Sequence, residues 1–189
     1  MDKGTRALLR SAVTRCRATL EESLGQVLEG EFGVHSDGHI ESDGSLPQLD
    51  AGQLADRRIL ISNVEHVQAR GVSRSDAVTQ VIREAAFTHL NRLCAYKLLE
   101  RRKLIREAAS RGIESTDFKF YLADRPQEEF LWASGRGDLA YRHFLKWLAE
   151  SLSGQIGVLF STDEVANYLL PTHSAIQAVL ELINDPQLE

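Results

Sequence analysis

A long run without glycine or proline, Ser75 to Arg106, constrains the fold of this chain more than any other stretch. Its apolar residues recur at steps of three and four, which places them on one face of a helix. They are Val78, Val81, Ile82, Ala85, Ala86, Leu90, Leu93, Cys94 and Leu98. Phe87 and Tyr96 fall outside that stripe, so the middle of the helix is apolar on more than one face. A helix of this kind is usually central, and we predict a core helix at about residues 75–106.

Other amphipathic patterns predict further helices at Thr5–Leu28, Ala51–Arg70, Glu128–Ala133, Leu139–Leu152 and from Thr172 onward. In the first of these we expect a buried stripe of Leu8, Ala12, Cys16, Leu20, Leu24, Val27 and Leu28. In the second, Arg57 and Arg58 are expected to project outward. Two short segments, Phe118–Leu122 and Ile156–Phe160, are rich in aromatic or apolar residues and are predicted to be extended, the former as an edge strand or a packed segment. The fold class is therefore all-α, an irregular multi-helix bundle with at most a minor, short β element.

The polar segment at residues 35–48 contains two Asp-Gly pairs and is predicted to be a flexible loop within a single helical domain spanning residues 1–189. A short hairpin pairing Phe32–Val34 with Gly38–Glu41 is an alternative for its first part. Acidic and histidine side chains alternate along it: His35, Asp37, His39, Glu41 and Asp43. A metal site there would need ligands held rigidly by surrounding groups, and we favour a solvated loop without a metal.

The composition is that of an ordinary globular protein, with 43% hydrophobic and 26% charged residues. No apolar run approaches the roughly 20 residues that span a bilayer, and the N-terminus lacks a secretory signal, so we expect a cytoplasmic chain with no membrane partner. Cys16 and Cys94, on apolar helical faces, are expected to be reduced core thiols. The net charge of −5 argues against a strongly basic nucleic-acid-binding module.

The sequence shows no phosphate-binding glycine loop, no nucleophile elbow and no metal-binding HExxH helix. The densest basic run lies at the C-terminal end of the core helix, and basic side chains there are candidates for contacts with the phosphates of double-stranded DNA. These candidates are Lys97, Arg101, Arg102, Lys103 and Arg106. The simpler interpretation is a solvated helix end, where cations complement the helix dipole.

Two passages resemble a known family. Residues 84–107 resemble the "FNRL-ALR-LE" helix of large adenine-specific DNA methyltransferases, namely the BREX phage-defence enzymes of the PglX type and type IIG restriction–modification enzymes. Residues 156–188 resemble the "LF-ddpy-lLfP---l--vle-INDP-L" segment further along the same proteins. The positions that carry the resemblance are Phe87, Asn91, Arg92, Leu93, Ala95, Leu99, Glu100, Phe160, Leu170, Pro171, Leu182, Ile183, Asn184, Asp185 and Pro186.

The resemblance implies the N-terminal helical region of such an enzyme, either as a fragment or as a separately encoded piece. The family's S-adenosylmethionine loop and Asn-Pro-Pro-Tyr motif lie after this region, and neither occurs here. We therefore expect no catalytic, cofactor-binding or metal-binding residue in this chain, with S-adenosylmethionine used only by the parent DNA adenine N6-methyltransferase. Its partner would be the catalytic methyltransferase domain, in the same or a separate chain. Asn91 and Arg92 suit a buried hydrogen-bonded role between helices better than DNA contact. A stand-alone helical adaptor that binds a protein and never meets DNA is the alternative.

Overall fold

The computed structural model describes residues 3–161 and 164–188, and in those ranges the protein is all-α. Short turns of 3₁₀ helix occur at Asp43–Ser45, Gly112–Glu114, Val165–Asn167 and Pro186–Leu188. The α-helices are α1 (Lys3–Gly30), α2 (Ala51–Gln68), α3 (Arg74–Arg101), α4 (Thr116–Ala123), α5 (Pro126–Ala133), α6 (Gly137–Ser153), α7 (Gly157–Phe160) and α8 (His173–Ile183). No helix in the described part of the chain combines the length and the apolar character that crossing a membrane requires.

The predicted core helix is confirmed as α3, which packs against α1, α2 and α8 and against the turn at Val165–Asn167. Its N-terminus is capped by Ser73, whose Oγ accepts the Asp76 amide at 3.0 Å. The predicted stripe is buried as far as Leu93, apart from Ile82, which is half-buried. Tyr96, which lies outside that stripe, is buried as well, as expected of a helix that is apolar on more than one face, and its Oη donates to the carbonyl oxygen of Leu145 at 3.1 Å.

The core helix ends earlier than the sequence pattern predicts. Arg101 is its last residue, and Lys103 has a left-handed backbone conformation with φ of 57°. The carboxylate of Glu100 accepts the backbone N–H groups of Ala108, Ala109 and Ser110, which folds the following segment back onto the helix end. Arg102, Lys103 and Arg106 therefore lie outside the helix, whereas Lys97 and Arg101 belong to its last turns.

Both segments predicted to be extended are helical. In α4 the buried residues Phe118, Tyr121 and Leu122 follow helical spacing, whereas Phe120 faces solvent. Residues 157–160 form the one-turn helix α7. Aromatic side chains are common in strands and in buried helices alike, and a run this short cannot separate the two periods.

The aromatic rings of α4, α5 and α6 form one cluster. Phe118 lies at its centre, with ring centroids of Tyr141, Phe144 and Trp132 at 5.2, 5.5 and 5.6 Å. The Tyr141 Oη donates to the carbonyl oxygen of Ala108 at 2.8 Å, which ties the cluster to the segment after α3. In the helix predicted at Leu139–Leu152 the spacing of the apolar residues indicates one buried stripe, and the structure confirms it in α6. The buried residues of that stripe are Tyr141, Phe144, Leu145, Leu148 and Leu152.

The polar loop at residues 35–48 is anchored to α2. A single antiparallel bridge joins Val34 to Ile40, as the hairpin alternative predicted. Arg57, expected to project outward, lies beneath the loop instead, and its side chain is 3% exposed. Its Nε donates to the carbonyl oxygen of Phe32 at 2.7 Å, Nη1 to Asp43 at 2.6 Å, and Nη2 to the carbonyl oxygen of Glu41. Arginine is buried here because each of its three side-chain nitrogen atoms donates to an oxygen of residues 32–43.

Candidate functional site

The first half of α1 has no buried side chain among residues 4–15, although the helix continues unbroken through it. Leu8, predicted to be buried, is exposed, and so are Leu9 and Val13. From Cys16 onward the stripe of α1 enters the core. The helix therefore carries about three turns whose apolar face is uncovered.

The second half of α3 runs alongside this face and has an uncovered stripe of its own. Leu98 is 53% exposed, and Cys94, predicted to be a core thiol, is exposed as well. Both were placed on the buried face because they continue the helical spacing of the core residues before them. The spacing is real, but the stripe extends past the end of the core that covers it.

The two uncovered faces enclose a groove of about 710 Å³ between α1 and α3, which Ile183 at the end of α8 closes on one side. We call it the α1/α3 groove. It is lined by Leu9, Ala12, Val13, Cys16, Leu90, Cys94, Lys97, Leu98, Arg101 and Ile183. All of these residues are apolar or sulfur-containing except Lys97 and Arg101.

Among the described residues that line the groove, the charged ones are Lys97 and Arg101, both basic. Residues 3–20, which cover the exposed half of α1, contain five basic residues and no acidic one. Two of them, Arg6 and Arg10, are exposed one helical turn before Leu9 and Val13. On the α3 side, none of the described groove-lining residues is acidic. An apolar floor with a basic rim is suited to an amphipathic partner that carries negative charge.

The five predicted DNA-backbone residues take different positions. Lys97 is half-buried, and its ammonium donates to the carbonyl oxygen of Ile183 at the C-terminus of α8. Arg101 lines the groove. Arg102 and Lys103 are exposed just after α3. Arg106 stacks over the Phe120 ring at 4.6 Å and lies 3.5 Å from Asp117.

Among the residues that carry the family resemblance, Arg92 is 4% exposed. Its Nη1 donates to Asn167 Oδ1 at 2.9 Å and its Nη2 to the carbonyl oxygen of Ser161 at 3.0 Å, so it joins α3 to the turn before α8. Phe87 is exposed and Asn91 half-buried, and both line a shallow depression beside α7.

The remaining motif residues, Asn184, Asp185 and Pro186, follow α8. Asn184 caps the helix and its Nδ2 donates to the carbonyl oxygen of Ser110 at 3.4 Å. The Asp185 carboxylate accepts the Gln187 amide at 2.9 Å, and Pro186 opens the last turn. These contacts place the motif in the connection between the end of α8 and the segment after α3.

Two buried titratable groups in the described residues have pKa values far from those of free side chains. Burial raises the pKa of Cys16 to about 11, which leaves the thiol protonated at neutral pH. Burial lowers the pKa of His89 to about 4, and its Nε2 donates to the carbonyl oxygen of Leu169 at 2.8 Å. No group of three or more histidine, cysteine, aspartate or glutamate side chains in residues 3–161 and 164–188 has the geometry of a metal site.

Sequence reasoning missed the groove, the buried residues Arg57 and His89, and the half-buried Arg142. The groove had a signal in the sequence, since residues 3–20 combine an apolar stripe with basic charge alone. These basic residues had no such signal in the sequence, because their partners are mostly backbone carbonyl groups.

Searches of protein-family models, of curated proteins and of solved structures found no match to this chain.

Proposed function

We propose that this chain is a non-catalytic helical domain that binds an acidic amphipathic helix in the α1/α3 groove. The observation that carries the proposal is the groove itself, with uncovered apolar side chains on two adjacent helices and a basic rim. The resemblance of residues 84–107 and 156–188 supports the choice of partner, the catalytic region of a S-adenosylmethionine-dependent adenine-specific DNA methyltransferase. The domain would then brace that region in the cytoplasm, in a BREX-like phage-defence or restriction–modification system.

The occupant follows from the shape and charge of the groove. An amphipathic helix places apolar side chains at steps of three and four along one face, and such a face fits a groove between two helices. Glutamate or aspartate on its flanks would meet Arg10 and the basic end of α3. Because these side chains lie at the surface, the charges would select the partner and its orientation more than they would add affinity.

A designed peptide provides the first test. A fluorescein-labelled helix of about 20 residues, with leucine at the a and d positions and glutamate at the surrounding positions, should bind the purified chain in a fluorescence-anisotropy titration. A matched peptide with lysine in place of glutamate should bind at least about tenfold more weakly at low salt. Equal binding of the two peptides, or no binding of the acidic one, would contradict the proposal.

Two groove variants and one matched control locate the binding surface. Leu98→Glu and Leu9→Glu should each weaken binding of the acidic peptide by about tenfold or more, because a carboxylate replaces an apolar contact and repels the peptide. Phe130→Glu makes the same kind of change at a side chain that is 71% exposed on α5, away from the groove, and should leave binding unchanged. A loss of binding in all three variants would point to a general effect of added charge.

The proposed absence of catalytic activity in this chain can be tested separately. Purified chain incubated with labelled S-adenosylmethionine and duplex DNA should give no methyl transfer, and robust transfer would refute the non-catalytic role. A reading frame that continues into, or lies beside, an Asn-Pro-Pro-Tyr methyltransferase would support that enzyme as the partner. An isolated gene would favour the stand-alone adaptor instead.

Contact with the DNA backbone is a second candidate function, favoured by the exposure of Arg102 and Lys103. If both side chains contact phosphates, binding of a short duplex should weaken steeply with salt, and the slope of log K against log salt should fall by about two in the double variant Arg102→Ala/Lys103→Ala. Arg58→Ala, whose side chain is 70% exposed on α2, is the matched control. Unchanged binding in the double variant, or in one that replaces Lys97, Arg101, Arg102, Lys103 and Arg106 together, would exclude this surface.

A further inference from the structure

A second feature of the molecule is independent of the groove. A small, partly enclosed cavity of about 30 Å³ lies between α3, α6 and the segment that leads into α8. The lining residues that matter here are His89, Arg92, Arg142, Lys146, Leu170 and Pro171. Since one water molecule needs about 10–15 Å³ of such space, the cavity has room for one or two waters or for one monatomic ion. A phosphate or sulfate would not fit.

The charge of the lining is unusual for so small a space. Arg92, Arg142 and Lys146 all border the cavity, and no aspartate or glutamate does. His89 adds no fourth charge, because burial lowers its pKa to about 4 and it is neutral at pH 7. Buried cations are normally paired with an anion, since an unpaired buried charge is costly.

The guanidinium of Arg92 shows this imbalance most clearly. Its three acceptors are the neutral oxygens of Asn167, Ser161 and Leu159, the last at 3.4 Å from Nε. A guanidinium has five N–H groups, so these acceptors do not use all of them. Arg92 forms no ion pair with another described residue, and burial lowers the pKa of its guanidinium although the more distant charges of Glu164 and Glu150 act in the opposite direction.

Arg142 approaches from α6. Its Nη2 donates to the carbonyl oxygen of Leu170 at 3.0 Å, whereas its Nε is buried and has no acceptor in the part of the chain that the structure describes. Its Nη1 lies 4.0 Å from Glu31. Glu31 and Asp56 line a separate depression that Arg142 and Lys146 also border. Both carboxylates therefore face these cations from outside and leave the cavity side without negative charge.

We infer that this cavity is a binding site for one small monovalent anion, and that chloride is its ligand in solution. The anion would accept hydrogen bonds from the cationic side chains of α3 and α6 and would offset their charge. It would thereby hold the two helices and the segment at Leu170 and Pro171 together. Water satisfies the hydrogen bonds of such a site but not its charge, so the two ligands can be told apart by experiment.

The first measurement is thermal unfolding of the purified chain in sodium chloride and in sodium gluconate at equal ionic strength, since gluconate is too large for the cavity. Chloride should raise the midpoint and the effect should saturate, with the unfolding equilibrium constant falling about 11-fold at ten times the dissociation constant. Arg142→Gln should lose the difference between the two salts. Arg58→Gln, at a side chain that is 70% exposed, should keep it.

A second measurement does not depend on the folding of a variant. Crystals of the natural chain grown in sodium bromide should give an anomalous peak within hydrogen-bond distance of Arg92 and Arg142. Equal unfolding midpoints in the two salts, or density in the cavity with no anomalous signal, would overturn the inference in favour of water. A chloride effect that grows without saturation and persists in Arg142→Gln would also overturn it, because it would report a general salt effect.

Discussion

Two adjacent arginines on α2 have opposite surroundings, and replacing each by methionine should separate them sharply. The side chain of Arg57 is 3% exposed and that of Arg58 is 70% exposed. Arg57 donates to two backbone carbonyl oxygens and to one carboxylate of the loop before α2. Arg58 lies 3.9 Å from the same Asp43 carboxylate, in solvent.

The magnitude follows from the groups that Arg57→Met would leave behind. The carbonyl oxygens of Phe32 and Glu41 would lose their arginine donor, and a buried polar group without a partner costs about 1–3 kcal/mol. Asp43 is half-exposed and would be rehydrated at little cost. Methionine fills part of the space and removes a buried charge, which offsets some of the loss. We expect a net loss of about 2–4 kcal/mol in the free energy of unfolding, against less than about 0.5 kcal/mol for Arg58→Met.

Urea denaturation, followed by circular dichroism, measures both values from the midpoint and slope of each transition. Amide hydrogen exchange adds the location: protection of residues 32–46 should fall in Arg57→Met and remain unchanged in Arg58→Met. Equal losses of stability in the two variants would refute the reasoning. So would a large loss from Arg57→Met with unchanged protection of the loop, because the effect would then come from another contact.

Three further predictions follow from burial at single side chains. Because burial lowers the pKa of His89 to about 4, below its usual 6.5, the unfolded state binds more protons than the folded state between these pH values. The free energy of unfolding should therefore fall by about 2 kcal/mol between neutral pH and pH 5. His89→Gln should remove this part of the pH dependence, and equal slopes of unfolding free energy against pH in the two proteins would contradict the prediction. Phe118→Ala should cost about 3–5 kcal/mol in urea denaturation, because the ring is fully buried, whereas Phe120→Ala, at a half-exposed ring, should cost much less. A maleimide reagent should modify Cys94 in the native protein and Cys16 only on unfolding, since Cys94 alone is exposed, and equal rates by mass spectrometry would count against the described core.

The long helices could be predicted because their apolar residues repeat over many turns. The stripe of α6 and most of the stripe of α3 are confirmed residue by residue. Burial is wrongly predicted where an apolar stripe continues beyond the part of the helix that the core covers, as at Leu8, Cys94 and Leu98. Periodicity identifies which face of a helix is apolar, but it does not say whether another element covers that face. The same limit hid the α1/α3 groove, which consists of two such faces.

Short segments failed for a different reason. Residues 118–122 and 157–160 contain too few positions to distinguish a period of two from a period of 3.6. Their helical state depends on tertiary packing, since Phe118 sits within a ring cluster drawn from α5 and α6, and the side chain of Phe160 stacks on Tyr96 of α3 at 5.4 Å. Neither contact leaves a trace in the local sequence.

The basic residues show why net charge predicts so little about the site. A total of −5 argues against a strongly basic chain but leaves room for local basic patches. The first half of α1 carries basic charge alone, and the cavity between α3 and α6 has only cationic charged groups in its lining. In the sequence, Arg57 and Arg92 look like ordinary surface arginines. Of the five oxygens that accept their shortest hydrogen bonds, four belong to backbone or amide groups and one belongs to a carboxylate. Backbone carbonyl groups occur at every residue, so a sequence cannot show which of them converge on one guanidinium. A buried cation of this kind can be recognised only once the fold has brought its acceptors together.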